Sequence, residues 1–227
     1  MDTAGSNTQW HCHSMEETAE LLGSHLHRGL TAEEAQQRLA HYGPNALQER
    51  PRPTFWHLLF IQVNRCLVLI LIVSAIVSLF LGQHVEAGAI IAIVALNAVL
   101  GVVQESKAEE ALAALQKMAA PEARVVRDGH VLTKSARELV PGDLVILETG
   151  NYVPVDVRLV EAMNLCVEEA SLTGESVPVE KRAQGVLPPQ APLGDGRNMA
   201  YMGTLVSYGR GRGLAVATGM RTQFGLI

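Results

Sequence analysis

Two dense apolar runs constrain what this chain can fold into. Both fall between residues 58 and 103 of the 227-residue sequence. The first runs from Leu58 to Leu81, interrupted by Asn64 and Arg65, and its cleanest part, Cys66 to Leu81, carries no charge. The second, Gly88 to Val103, holds one polar residue, Asn97, and reaches spanning length when Val85 to Ala87 are counted. A helix needs about 20 apolar residues to cross a hydrocarbon core of about 30 Å. Only Gly82-Gln83-His84 separates the runs. A buried hairpin inside a soluble protein is the competing reading. Two such runs joined so tightly predict a transmembrane α-hairpin, with spans at about 58–81 and 85–103.

Charge gives the orientation. Arg50, Arg52 and Arg65 precede or enter the first run, and Lys107, Lys117, Arg124 and Arg127 follow the second. The connecting turn has no Lys or Arg. The positive-inside rule therefore places both ends of the hairpin, and the rest of the chain, in the cytoplasm. Membrane lipid is then a partner, and an integral protein of the plasma or cell membrane is expected. The first thirty residues lack an apolar h-region, so no cleaved signal peptide is predicted.

The remainder has the composition of a soluble protein. Net charge is -5 and only ten residues are Phe, Trp or Tyr, with no basic cluster among them, so no nucleic-acid partner is expected. The three cysteines, Cys12, Cys66 and Cys166, are far apart, which argues against disulfides and for a reducing compartment. Residues 1–13 read as a disordered N-terminus. His11-Cys12-His13 lacks the second ligand cluster of a structural metal site, and no metal site is expected.

Helix signals follow in residues 14–53. Ser14 with Glu17 and Thr31 with Glu34 are capping boxes, Leu30 can staple onto Ala35, and Gly43-Pro44 stops the second helix. These helices have too little apolar surface for a core of their own and are expected to pack on another domain. After the second span, Gln104 to Met118 keeps helical spacing, so the helix should leave the bilayer as a stalk ending before Pro121. From residue 119 the period changes to two. Strands are predicted at 124–127 and 130–134 around the Asp128-Gly129 hairpin turn. Others are predicted at 144–147, 157–160, 165–169, 177–180, 200–207 and 213–218, with a Pro- and Gly-rich surface excursion at 184–197. This is a mostly-β domain, sandwich or barrel-like.

Within it, Thr173-Gly174-Glu175-Ser176 forms a polar loop between two extended runs. Gly174 permits a tight turn and a close backbone approach. Glu175 projects as a carboxylate without a neighbouring cation in the loop, a group able to orient a water for attack. An ordinary solvated turn has the same local pattern, so the wider context carries the weight.

That context resembles a known family. Gly43-Pro44-Asn45, the run from Asn97-Ala98-Val99 to Gln104-Glu105, Val140-Pro141-Gly142-Asp143, Val153-Pro154-Val155-Asp156, Leu172 to Ser176, and Thr218-Gly219 with Thr222 and Phe224-Gly225 occur in the order of a P-type cation-transporting ATPase. The pattern covers nearly all of residues 15–227 and resembles the calcium-pump branch. The resemblance implies the actuator domain and first two membrane helices of an ATP-driven cation pump. It implies that Glu175 activates the water that hydrolyses an aspartyl phosphate, while Thr173, Gly174 and Ser176 shape the loop. It also implies Mg-ATP as cofactor and a transported cation, calcium being the favoured guess, as cargo of the full-length protein.

The phosphorylated Asp-Lys-Thr-Gly segment is absent from the sequence. The phosphorylation and nucleotide-binding domains would be partners of this chain, which reads as a fragment inactive alone. Asn64 stands near a position where calcium pumps of the sarco-endoplasmic type carry a glutamate. Glu168 and Asn151 replace aspartates usual in the family. Glu86 and Asn97 are weak candidates for lining the ion path, Glu86 having an interfacial position beside His84 as its alternative. A non-catalytic two-span module displaying a β-domain to a partner is the competing function. Codons beyond Ile227 would discriminate the two.

Overall fold

The computed structural model describes residues 8–48, 66–118 and 121–227. The chain divides into two compact units, one made of residues up to Gln48 and from Ala120 onward, the other of Glu49–Ala119.

The first unit is built on a seven-stranded antiparallel sheet. Its strands are β1 (Glu122–Arg127), β2 (His130–Ser135), β3 (Leu144–Glu148), β4 (Asp156–Glu168), β5 (Val179–Glu180), β6 (Met199–Ala200) and β7 (Leu205–Ala217). Their order is β2-β1-β3-β7-β4-β5, with β6 also beside β4. The β1–β2 hairpin turns at Asp128 and Gly129, both with positive φ, and pairs Arg127 with His130. This is the turn the sequence predicts.

Successive residues point to opposite faces, and both faces are covered. Val125, Val145, Leu159, Leu165, Val167 and Ala215 pack together in one buried cluster. Val126, Leu144, Leu214 and Val216 face the other way, against Ala19 and Leu22. Those two residues belong to α1 (Met15–Leu21) and its C-cap. The following helix, α2 (Ala32–Tyr42), packs through Ala35 and Leu39 with Leu30 and Val140. Both capping boxes form as the sequence predicts. Polar bonds fix the docking: Ser24 Oγ donates to Gly142 O at 2.6 Å, and Arg38 Nη1 to Pro141 O at 2.8 Å.

Three expectations need correction. Strands predicted at 157–160 and 165–169 are one strand, β4, and those at 200–207 and 213–218 largely merge into β7. Gly209 and Gly211, which lie between the two strands merged into β7, are where the paired backbones approach. A Cβ on Gly209 would lie 2.2 Å from Asn164 O, and one on Gly211 2.6 Å from Glu161 O. Asn164 takes φ 51°, and the register shifts between Met163 and Cys166. Residues 8–13 are ordered rather than disordered. Trp10–Cys12 forms a 3-10 turn, and Trp10 packs on the outer cluster. The backbone carbonyl of His11 accepts from Leu187 N and Asn198 Nδ2, both at 2.9 Å.

The second unit holds α3 (Cys66–Phe80) and α4 (His84–Met118), which pack on each other. Val68, Leu71, Ala75 and Ser78 of α3, and Ala87, Ile90, Val94 and Ala98 of α4, are the more sheltered positions, a helical-spacing seam. The outward faces are apolar and exposed, Phe80 by 88% and Val85 by 82%. His84–Ala108 is long and apolar enough to cross a membrane, while Val68–Phe80 is shorter. The expected first span begins at residue 58, and its part before residue 66 lies outside the described residues. The α4 helix continues without a break to Met118, where the sequence ends the stalk.

Candidate functional site

The loop singled out by the sequence stands between β4 and β5. These strands pair through Cys166 with Glu180 and Val167 with Val179. Where an open polar loop was expected, β4 runs into a single helical turn, α5 (Ala170–Thr173), capped by Gly174 in the left-handed conformation at φ 78°. Gly174 N donates to Ala170 O at 3.0 Å. Thr173 Oγ1 donates to Glu169 O at 3.1 Å and accepts from Glu175 N at 3.3 Å. Leu172 anchors the turn on the outer cluster beside Leu193.

Beyond Gly174 the chain stands in solvent. Glu175, Ser176, Val177 and Pro178 are all exposed, Val177 by 74%. Among the described residues no ion pair engages Glu175. The four predicted site residues are therefore contiguous at one tip. Thr173 is turned inward as the brace, and Glu175 is presented outward to solvent.

Below the tip lies a feature that sequence reasoning missed. Glu169, which follows β4, and Lys181, which follows β5, are both fully buried, with Nζ 2.5 Å from Oε1. Lys181 Nζ also donates to Gly196 O at 3.1 Å and sits 5.7 Å above the centre of the Tyr201 ring. Burial pushes the Glu169 carboxyl up and the Lys181 ammonium down, while each charge opposes the push on the other. Burial, with the Glu169 and Asp156 charges, raises the Tyr201 hydroxyl as well. Both residues lie just outside the strands that flank the loop, and their spacing carries no signal that both are buried.

The other motif segments meet within the same unit. Asn45 donates through Nδ2 to Ala136 O and Pro154 O, at 2.9 and 3.0 Å. Asp156 accepts from Met202 N at 2.8 Å and Gln223 N at 2.7 Å, and burial raises its carboxyl to about 6. Arg127 grips Asp143 with two bonds of 2.8 and 2.7 Å. These groups are buried and hydrogen-bonded, and they join distant segments of the unit.

Comparison with known proteins accounts for this arrangement. The P-type ATPase actuator domain model matches residues 117–227, and the cation transporter/ATPase N-terminus model matches residues 10–78. A calcium-transporting ATPase 1 of Bacillus cereus is 49% identical over 97% of this chain and 25% of its own length. A calcium-transporting ATPase of Bacillus subtilis is 43% identical over 95% of this chain and 24% of its own. The chain belongs to the P-type cation-transporting ATPase family. A sodium/potassium exporting P-type ATPase of Schizosaccharomyces pombe is 43% identical over 88% of the chain and 19% of its own length. The chain thus spans about a quarter or less of the length of these P-type ATPases.

The sheet is the actuator domain of this P-type ATPase chain, and the helices packed on it fall in the segment matched as the cation transporter/ATPase N-terminus. Glu86 and Asn97 lie apart from it in chain terms, both exposed on α4. Glu86 occupies the first turn, where a carboxylate complements the helix dipole. Among the described residues no cluster of three His, Cys, Asp or Glu is arranged to hold a metal ion.

Proposed function

We propose that this chain supplies the actuator domain and first membrane hairpin of an ATP-driven cation pump. In this reading Glu175 promotes hydrolysis of the aspartyl phosphate formed elsewhere in the pump. The observation that carries it is the exposed Thr173–Ser176 tip, whose carboxylate has no ion-pair partner among the described residues.

The chemistry asks little of the loop. An acyl phosphate is already activated, so one positioned base suffices. Water attacks phosphorus, its proton passes to the Glu175 carboxylate, and the bond from phosphorus to the aspartyl oxygen breaks. Inorganic phosphate and the free aspartate carboxylate result. Gly174 lets the backbone come close to the phosphoryl group.

The phosphorylated aspartate, the Mg-ATP site and the later helices belong to parts of the pump outside these residues. Calcium is the favoured cargo, since two relatives are named calcium-transporting, while a sodium/potassium exporter of similar identity keeps other ions open. The apolar outward faces of α3 and α4 suit a lipid hairpin in the cell membrane, with the sheet in the cytoplasm. An unbroken α4 suits a stalk carrying actuator motion into the bilayer.

The test is phosphoenzyme decay in the full-length protein. Glu175→Ala should leave phosphorylation from ATP intact and slow decay by about 100-fold or more. Decay at the native rate would overturn the role of Glu175.

A further inference from the structure

We infer that Glu169 and Lys181 are positioning residues for the Thr173–Ser176 loop, a buried ionic clasp that fixes where Glu175 stands. This inference rests on the dephosphorylation role proposed for that loop.

Four observations carry it. The pair closes the base of the loop: Glu169 is the residue before α5, and Lys181 the residue after β5. Both side chains are 0% exposed, although charged residues are rarely so buried. The clasp also reaches a third segment, since Lys181 Nζ donates to Gly196 O. That segment returns beneath the tip, where a Cβ on Gly194 would stand 3.5 Å from Thr173 Cγ2. Finally, the tip has no apolar anchor of its own beyond Leu172, because residues 174–178 are exposed. Its geometry is inherited from its base.

Stability alone does not account for such a pair. An apolar pair of similar volume is commonly as stable as a buried ion pair or more so. What the ionic pair adds is direction: Glu169 bears the carbonyl that accepts from Leu172 N, Thr173 N and Thr173 Oγ1. Holding its side chain therefore sets the axis of the helical turn that carries Gly174 and Glu175. Arg197 is the other cation whose charge reaches Lys181, and it opposes the ammonium rather than replacing it.

The test measures phosphorylation from ATP and phosphoenzyme decay separately in the full-length pump, for Glu175→Gln, the double variant E169M/K181M and the double variant E169D/K181R. The Met pair keeps volume and removes the charges, while the Asp–Arg pair shortens the acid and lengthens the base. The Met pair should phosphorylate normally and decay about 10- to 100-fold more slowly, the cost of a small misplacement of a reacting group. The Asp–Arg pair should recover most of that loss, a rescue that a volume-filling role would not produce. Native decay in the Met pair, or equal loss in both pairs, would overturn the clasp. If the Met pair does not accumulate, the isosteric Glu169→Gln replaces it with the same expectation, and native decay there overturns the clasp equally. Native decay in Glu175→Gln would instead overturn the role of the loop itself. The two failures are thus distinguishable.

Discussion

The carboxamide oxygen of Asn45 accepts a hydrogen bond from Gly219 N at 2.7 Å, across 174 residues of sequence. The same side chain donates to Ala136 O and Pro154 O, so one buried amide joins four segments. Asn45→Ala should destabilise the protein by about 1–3 kcal/mol for each group it leaves unpaired. Asn45→Asp should be worse, because it turns two donors into acceptors facing carbonyls. Denaturant midpoints of the two variants check the order.

Asp156 predicts a pH dependence of definite sign. Its folded carboxyl lies at about 6 because burial outweighs the two amides it accepts from, against an unfolded value of about 3.9. The folded state binds the proton more tightly, so the stability linked to this group is fully present below pH ~4 and is lost as pH rises through ~6. The change amounts to about 3 kcal/mol. Urea unfolding from pH 4 to 7 should show this loss for the native protein relative to Asp156→Asn, whose own offset stays constant.

Two glycines with positive φ should respond differently to alanine. At Gly174 a Cβ meets nothing within 4 Å, so the cost is the left-handed backbone alone, about 1–2 kcal/mol. At Gly29 a Cβ would fall within 1.9 Å of Val126 O, where the connection between α1 and α2 meets the β1 backbone. Gly29→Ala should cost about 3 kcal/mol or more. Thermal melts of both variants provide the comparison.

Arg158 is 1% exposed and is solvated by carbonyls alone: His13, Leu159, Ala183, Gly185 and Asn198. Burial lowers its pKa to about 10. Arg158→Lys keeps a charge but not the fork, and should lose about 1–3 kcal/mol. The loss should appear as faster amide hydrogen exchange at residues 10–13.

Local chemistry was legible in the sequence and long-range chemistry was not. Ser14 with Glu17, Thr31 with Glu34, and Asp128-Gly129 each act within four residues, and each forms as read. The continuity of β7 through Gly209 and Gly211 was not legible, because it depends on the strand they face and not on their neighbours. Residues 8–13 looked disordered because what orders them, Arg158, Asn198 and Leu187, lies far along the chain. At the site, the tip could be read from four adjacent residues. The clasp beneath it could not, since nothing in the spacing of Glu169 and Lys181 says that both point inward.

The sheet domain also draws on chain made at two different times. Leu30 and Ala35 pack with Val140, which emerges from the ribosome 110 residues after Leu30. At ordinary translation rates that interval is about 5–20 s. The N-terminal helices must wait through it with their apolar stripes uncovered, while both greasy helices are synthesised. Nascent protein is therefore most exposed to chaperones and proteases in this window, and translation speed between residues 43 and 140 becomes a determinant of yield.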